Sequence, residues 1–220
     1  MLIQIANILD GDALTEVQAA LSKLPFEDGR ATAGWSARLV KENQQVPRGE
    51  AKAEPIKQML ATRIAENEVF QLAVRPKKLS PITLSRYKKG MSYGAHVDDA
   101  LMGGMRADVS FTLFLADPAS YDGGELVIES ASGEEDVKLP AGALVAYPSG
   151  SLHRVAPVTR GVRLAAVGWV RSFLRTPEQR ELLFDLETAR RALFAREGKS
   201  REFDLMSKGC VNLLRMWAED

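Results

Sequence analysis

The sequence predicts a mainly β protein with flanking helices, its core a sandwich or jelly roll, and three observations carry that prediction. From about Lys78 to Ser172, short runs rich in Val, Leu, Phe and Thr (VSFTLFLADP, GGELVIES, GALVAYPSG, RLAAVGWV) are separated by glycine or proline turns. So many short strands bury their apolar faces best as two sheets packed against each other. On either side of this stretch the apolar spacing becomes helical. With 220 residues at 45% hydrophobic content, the chain can bury one principal core without disulfides or structural metals.

Taken in order, Asp12 is the expected cap of a first helix, with Leu14, Val17, Leu21 and Leu24 on one face and Pro25 closing it. Pro55, at a first helical position, precedes Ile56, Met59, Leu60 and Ile64 on the face of a second helix. The intervening WSARLVKENQQV alternates in its first half and then turns polar. Past Ser172 a helix starts near Pro177 and carries Leu182, Leu183 and Leu186, and a last one carries Val211, Leu214 and Trp217. The expected organisation is therefore an N-terminal region, 1–77, bracing the core; the β core itself, 78–172; and a small helical appendage, 173–220, packed on that core.

Twenty-nine basic residues balance twenty-nine acidic ones, which predicts no global attraction to nucleic acid or anionic lipid and favours a small-molecule or peptidyl substrate. The basic stretch Arg86 to Lys89 reads as a solvated strand end and Arg160 as a solvent-facing turn residue. The single cysteine, Cys210, excludes an internal disulfide framework. With no basic segment before an apolar run at the start, a cytoplasmic location is expected. No run reaches the roughly 20 apolar residues that a spanning helix needs, so no membrane association is expected.

The chemistry centres on two histidines. His96 lies in YGAHVDDA, two residues before Asp98, and on a strand that spacing sets both side chains on one face, where they can share a metal ion. Asp99 would point the other way. His153, in PSGSLHRVAPV, follows a turn at Pro148 to Gly150 on a strand that could face the same ion. Two histidines and a carboxylate form the facial triad of non-haem Fe(II) oxygenases, with open positions for co-substrate and O₂. Ten residues on, Arg163 sits in the apolar strand VRLAAVGWV, and its permanent charge needs an anion there. A dicarboxylate such as 2-oxoglutarate would supply one through two hydrogen bonds. Taken singly, each of these residues also fits a bland role, as a hydrogen-bonded core histidine or a strand-edge arginine.

Tyr87, Gly90, Tyr93, His96 and Asp98 reproduce the Y-x-x-G-x-x-Y-x-x-H-x-D pattern of prolyl-hydroxylase-like Fe(II)/2-oxoglutarate dioxygenases. YDGGEL at Tyr121 to Leu126, KLPAG at Lys138 to Gly142, YPS at Tyr147 to Ser149, Leu152-His153 and PVTRGVR at Pro157 to Arg163 extend the pattern. In these motifs, and in KENQQV and VNLLRMWAE near the ends, the chain resembles the bacterial PKHD-type hydroxylases over nearly its whole length. The resemblance implies a double-stranded β-helix core, Fe(II) on His96, Asp98 and His153, and the 2-oxoglutarate carboxylate on Arg163. It also implies a hydrogen bond from Tyr87 to the co-substrate, ascorbate as reductant, and release of succinate and CO₂ with hydroxylation of a substrate. Two departures, KEN for the more usual KNN at Lys41 to Asn43 and Arg154 after the distal histidine, leave the metal residues untouched.

Other motifs read more plainly. Asp122-Gly123-Gly124 is expected to be a hairpin turn, Trp169 a core residue rather than a substrate platform, and Cys210 a helix residue without nucleophilic chemistry. Asn43, Gln44 and Gln45 suit either the mouth of the site or a surface loop. The C-terminal helices have apolar faces that could pack against a second copy. The rival readings are a cupin-like metalloenzyme on the same jelly roll, and an iron or 2-oxoglutarate sensor that turns nothing over.

Overall fold

The computed structural model of the protein describes residues 1–219; Asp220, the last residue of the expected C-terminal region, lies outside them. The first helix, α1 (Gly11–Leu21), is capped by Asp10, whose carboxylate accepts from the Ala13 N–H at 2.9 Å. The expected cap, Asp12, falls instead in the first turn, where its charge still favours the helix dipole. In α2 (Glu54–Glu66), Pro55 occupies the first turn, and Ile56, Leu60 and Ile64 are buried. A further helix, α3 (Glu68–Val74), is capped by Asn67 and is too short, at seven residues, to show a period in the sequence. The half-alternating WSARL stretch is not a strand. It forms a 3₁₀ turn at Ala37–Leu39, with Trp35 and Leu39 exposed.

Two sheets form the core. The larger has eight strands: Ile3–Ile5, Leu144–Pro148, Val109–Phe114, Val162–Ser172, Thr83–Lys88, Gln44–Gln45 and Glu27–Asp28 in spatial order, with Pro76–Leu79 pairing the far end of Val162–Ser172. The smaller runs Gly133–Val137, Leu126–Ser130, His153–Val155, Ser92–His96, Lys41–Glu42. The period of two divides each strand's residues between two environments. On the outer face of the larger sheet, Leu84, Phe111, Leu113 and Val170 pack against Val17, Leu60, Ile64 and Phe70 of the helices. On its inner face, Tyr87, Phe114, Val145 and Tyr147 meet Leu126, Ile128 and Val155 of the smaller sheet. This is the mainly β jelly roll that the strand pattern predicts, with helices bracing one sheet from outside.

The helices α4 (Pro177–Glu197) and α5 (Arg201–Trp217) pack on each other through Leu183 and Cys210 with Leu174. Among the described residues no helix is long and apolar enough to cross a membrane.

One turn expectation changes. Asp122–Gly123 is not a hairpin but a short strand paired with Val158–Arg160, and a side chain at Gly123 would stand 2.0 Å from the Pro157 carbonyl oxygen. Arg160 is exposed as expected, yet its Nε lies 2.6 Å from Asp122 Oδ2. Arg86 is not simply solvated, since its guanidinium carbon lies 4.0 Å from the Phe26 ring centroid and its Nη2 donates to Gln44 at 2.7 Å.

Gly161 turns the chain into the strand that carries Arg163. Its φ is +71°, and an added Cβ would lie 2.1 Å from the Ser120 carbonyl oxygen. Gly161→Ala is expected to lose more than about 2 kcal/mol, from the left-handed backbone and the clash together. Urea denaturation measures it, and a loss near zero would show that the turn can rearrange.

Candidate metal centre

The antiparallel register of the smaller sheet sets His153 directly opposite His96. Cross-strand partners share a sheet face, so the two rings meet, their centroids 4.3 Å apart. The strand ends at His96, and Asp98 is therefore not a strand residue as its spacing suggested; it follows in the loop that leaves the strand. A different contact aims it: Ser110 Oγ, on the larger sheet, donates to Asp98 Oδ2 at 2.5 Å, and Ser149 Oγ lies 2.9 Å from Ser110 Oγ. Asp98 Oδ1 stands 4.0 Å from His96 Nε2, and Oδ2 stands 3.9 Å from His153 Nε2. One ligand atom from each of the three residues lies within 4.8 Å of the others, the span of donors around a single ion.

The proton positions suit a metal. His96 Nδ1 lies 2.8 Å from the Gly94 carbonyl and His153 Nδ1 lies 3.0 Å from that of Ser151. A carbonyl only accepts, so each Nδ1 carries the hydrogen and each Nε2 keeps a lone pair toward the centre. Burial, and after it the neighbouring His153, lowers the His96 pKa to about 4, which keeps the ring neutral at physiological pH. Tyr93 stacks on His96 at 3.6 Å and Tyr147 meets His153 edge-on at 5.1 Å, holding both rings in place.

The same cavity contains Arg163, only 1% exposed. Its guanidinium carbon lies 5.2 Å from the Tyr87 ring centroid and 5.3 Å from that of Phe114. Its Nε has no hydrogen-bond partner, and among the described residues no carboxylate forms an ion pair with it. A buried, uncompensated cation of this kind fits the charged end of a ligand. Burial raises the Tyr87 pKa, so its hydroxyl stays protonated and able to donate beside Arg163.

Asn43 and Gln45 are buried in the cavity wall rather than on a surface loop, while Gln44 faces away to Arg86. Trp169 is not in the core. Half-buried, it shares the inner face with Arg163 and Val167 and lines the cavity. Ser110 left no signal in the sequence, because its importance comes from a contact across twelve residues and two sheets. Ser110→Ala is expected to lower metal affinity by about 10–100-fold, as loss of a group that orients a ligand does, with little change in melting temperature. A chelator competition titration checks it.

Residues 82–171 match the 2OG-Fe(II) oxygenase superfamily. Over 100% of both chains, the sequence is 52% identical to a PKHD-type hydroxylase of Picosynechococcus sp.. It is 50% identical to a PKHD-type hydroxylase of Maricaulis maris, again over 100% of both. The chain belongs to the PKHD-type hydroxylases.

PKHD-type hydroxylases stand among the 2OG-Fe(II) oxygenases, so the chain is an oxygenase whose family implies Fe(II) and 2-oxoglutarate. Solved structures agree in fold. A Pseudomonas putida prolyl-4-hydroxylase superposes with a TM-score of 0.53 at 25% identity, covering 78% of this chain and 92% of that one. A Trichoplax adhaerens prolyl hydroxylase, in complex with a hypoxia inducible factor oxygen degradation domain peptide fragment, gives 0.60 at 16% identity, covering 83% and 86%. HygX from Streptomyces hygroscopicus, with nickel, 2-oxoglutarate and hygromycin B bound, gives 0.59 at 15% identity, covering 79% and 84%. The donor set fits the implied ion: two imidazoles and one carboxylate suit iron with open positions.

Proposed function

We propose that this PKHD-type hydroxylase binds Fe(II) through His96 Nε2, Asp98 and His153 Nε2 and hydroxylates its substrate with conversion of 2-oxoglutarate to succinate and CO₂. One observation carries the reading: a two-histidine, one-carboxylate cluster shares a cavity with a buried guanidinium that lacks a protein counter-charge. When bound, Fe(II) supplies O₂ activation coupled to oxidative decarboxylation of the co-substrate.

The chain's own residues do the positioning. Arg163 holds the far carboxylate of 2-oxoglutarate through charge-assisted hydrogen bonds, and Tyr87 donates a further one. Ser110 fixes the carboxylate of Asp98, and the backbone carbonyls of Gly94 and Ser151 fix the histidine tautomers. Phe114 and Tyr147, packed in the inner-face cluster, keep bulk water from the deep end. No side chain here has to act as acid or base for that sequence of events. We assign ascorbate as the reductant and the cytoplasm as the compartment, the latter supported by a single, buried cysteine. The region 78–172 is the catalytic core in this reading, with 1–77 supplying the cavity wall at Lys41 to Arg48 and 173–220 a helical appendage.

Fe(II)-loaded protein given 2-oxoglutarate and O₂, with ascorbate present, is expected to form succinate slowly even before a substrate is known. No iron-dependent succinate, with or without candidate substrates, would favour the rival reading of a sensor that binds without turnover.

A further inference from the structure

One buried cation in the cavity has no task in the proposed reaction. Lys41 is 4% exposed and ends at the cavity, where its Nζ donates to Thr32 Oγ1 at 2.8 Å and stands 5.1 Å from the Tyr93 ring centroid. Tyr93 is the ring stacked on His96, so the ammonium lies one aromatic ring away from a metal ligand. An ammonium has three donors, and the Thr32 contact is the one hydrogen bond that Lys41 Nζ makes among the described residues. No carboxylate there lies within ion-pair distance of it; Asp98 and Asp28 act only through longer-range attraction, and Arg48 through repulsion. Burial lowers the Lys41 pKa to about 8, and at neutral pH it still carries its proton.

The charge of the filled cavity points the same way. Lys41, Arg48 and Arg163 line it with Asp98 and Asp99, three cations against two carboxylates. The charges of Fe(II) and of the 2-oxoglutarate dianion cancel, so one positive charge remains, and Asp98 and Arg163 are already committed to those two ligands. The uncommitted groups are Lys41, buried, with Arg48 and Asp99, both exposed and without an ion pair among the described residues, so the two cations outnumber the one remaining carboxylate. Leaving a buried ammonium without a counter-charge is costly, and a substrate anion removes that cost.

We propose that the substrate of this hydroxylase is a small molecule bearing a carboxylate, which Lys41 and Arg48 hold at the mouth of the metal cavity. This deepens the dioxygenase reading and rests on it. Thr32 aims the ammonium, and the Thr32 hydroxyl is itself fixed by Gln45 Oε1 at 2.6 Å. Trp169, on the opposite wall, offers an apolar surface for the uncharged part of the substrate.

The test uses Mn(II)-loaded protein saturated with 2-oxoglutarate, with N-acetylglycine as probe and the uncharged N-acetylglycinamide as its control. Relaxation of the acetyl methyl protons by the paramagnetic ion reports both binding and nearness to the metal. The acid is expected to bind saturably and about ten-fold more tightly than the amide, the worth of one charge-assisted contact at a partly wet site. Lys41→Met and Arg48→Ala should each erase that preference, with 2-oxoglutarate affinity measured in the same samples as the reference. Arg48 is exposed, so its variant reports on the proposal even where Lys41→Met destabilises the fold. Equal binding of acid and amide, or no saturable binding of the acid, would overturn the proposal. So would a loss of 2-oxoglutarate affinity in Lys41→Met as large as the loss for the probe, which would make Lys41 a co-substrate residue. Wild-type protein that binds neither Mn(II) nor 2-oxoglutarate would overturn the dioxygenase reading as well, and is thereby told apart from a failure of the substrate proposal alone.

Discussion

Asp98→Ala is expected to lower iron affinity by more than about 100-fold, since it removes a ligand and not merely a group that orients one, and to abolish iron-dependent succinate formation. Asp98 is the only carboxylate among the three clustered donors. Without it the two imidazoles must hold a dication with no charge to offset it. Ser110 and Ser149 would then face an empty space with no acceptor from the loop. The fold should survive, because Asp98 lies in a loop after the Ser92–His96 strand and takes no part in sheet pairing. Iron content after desalting, read beside the melting temperature, separates loss of metal from loss of structure. Wild-type iron content in a folded Asp98→Ala protein would show that another group completes the site.

Arg163→Met is expected to raise the 2-oxoglutarate requirement by about 100- to 5,000-fold, as removing one partner of a buried ion pair costs about 3–5 kcal/mol, and to leave iron content intact. The apo protein should behave in the opposite sense. Arg163 is buried without a carboxylate partner, so its desolvation is uncompensated until a ligand arrives. The variant without co-substrate should therefore melt at or above the wild-type temperature, while the stabilisation that 2-oxoglutarate confers on wild type by mass action disappears. A titration of co-substrate against initial rate, paired with thermal melts with and without 2-oxoglutarate, checks both halves. A large drop in apo stability would mean that Arg163 serves the fold rather than a ligand.

Much of this was legible along the chain. The alternation in VRLAAVGWV assigns Arg163, Val167 and Trp169 to one face, and the structure keeps them together on the cavity side. The brace of α1 and α2 on the outer sheet face follows from Val17, Leu21, Ile56, Leu60 and Ile64 at helical spacing. The misreadings have a common origin. Asp12 was a sound cap by residue type, but Asp10 offers the same chemistry two residues earlier, and local preference does not choose between them. Trp169 has the right face for a core residue, yet that face borders the cavity, and alternation does not say where a cavity lies. Asp122-Gly123-Gly124 has turn composition, but Gly123 serves a close approach to Pro157, a residue distant in sequence.

By itself the sequence determined the jelly roll and the placing of helices outside it, and it singled out His96, Asp98, His153 and Arg163 as candidates, because period, residue type and short spacing are local properties written into the chain. Only the tertiary structure decided that His153 stands in register with His96, that Ser110 aims Asp98 from the other sheet, and that Lys41 is buried beside Tyr93 with no carboxylate to pair it. These depend on pairings between distant segments. Their energies come from burial and from charges brought together by the fold, which no local pattern records.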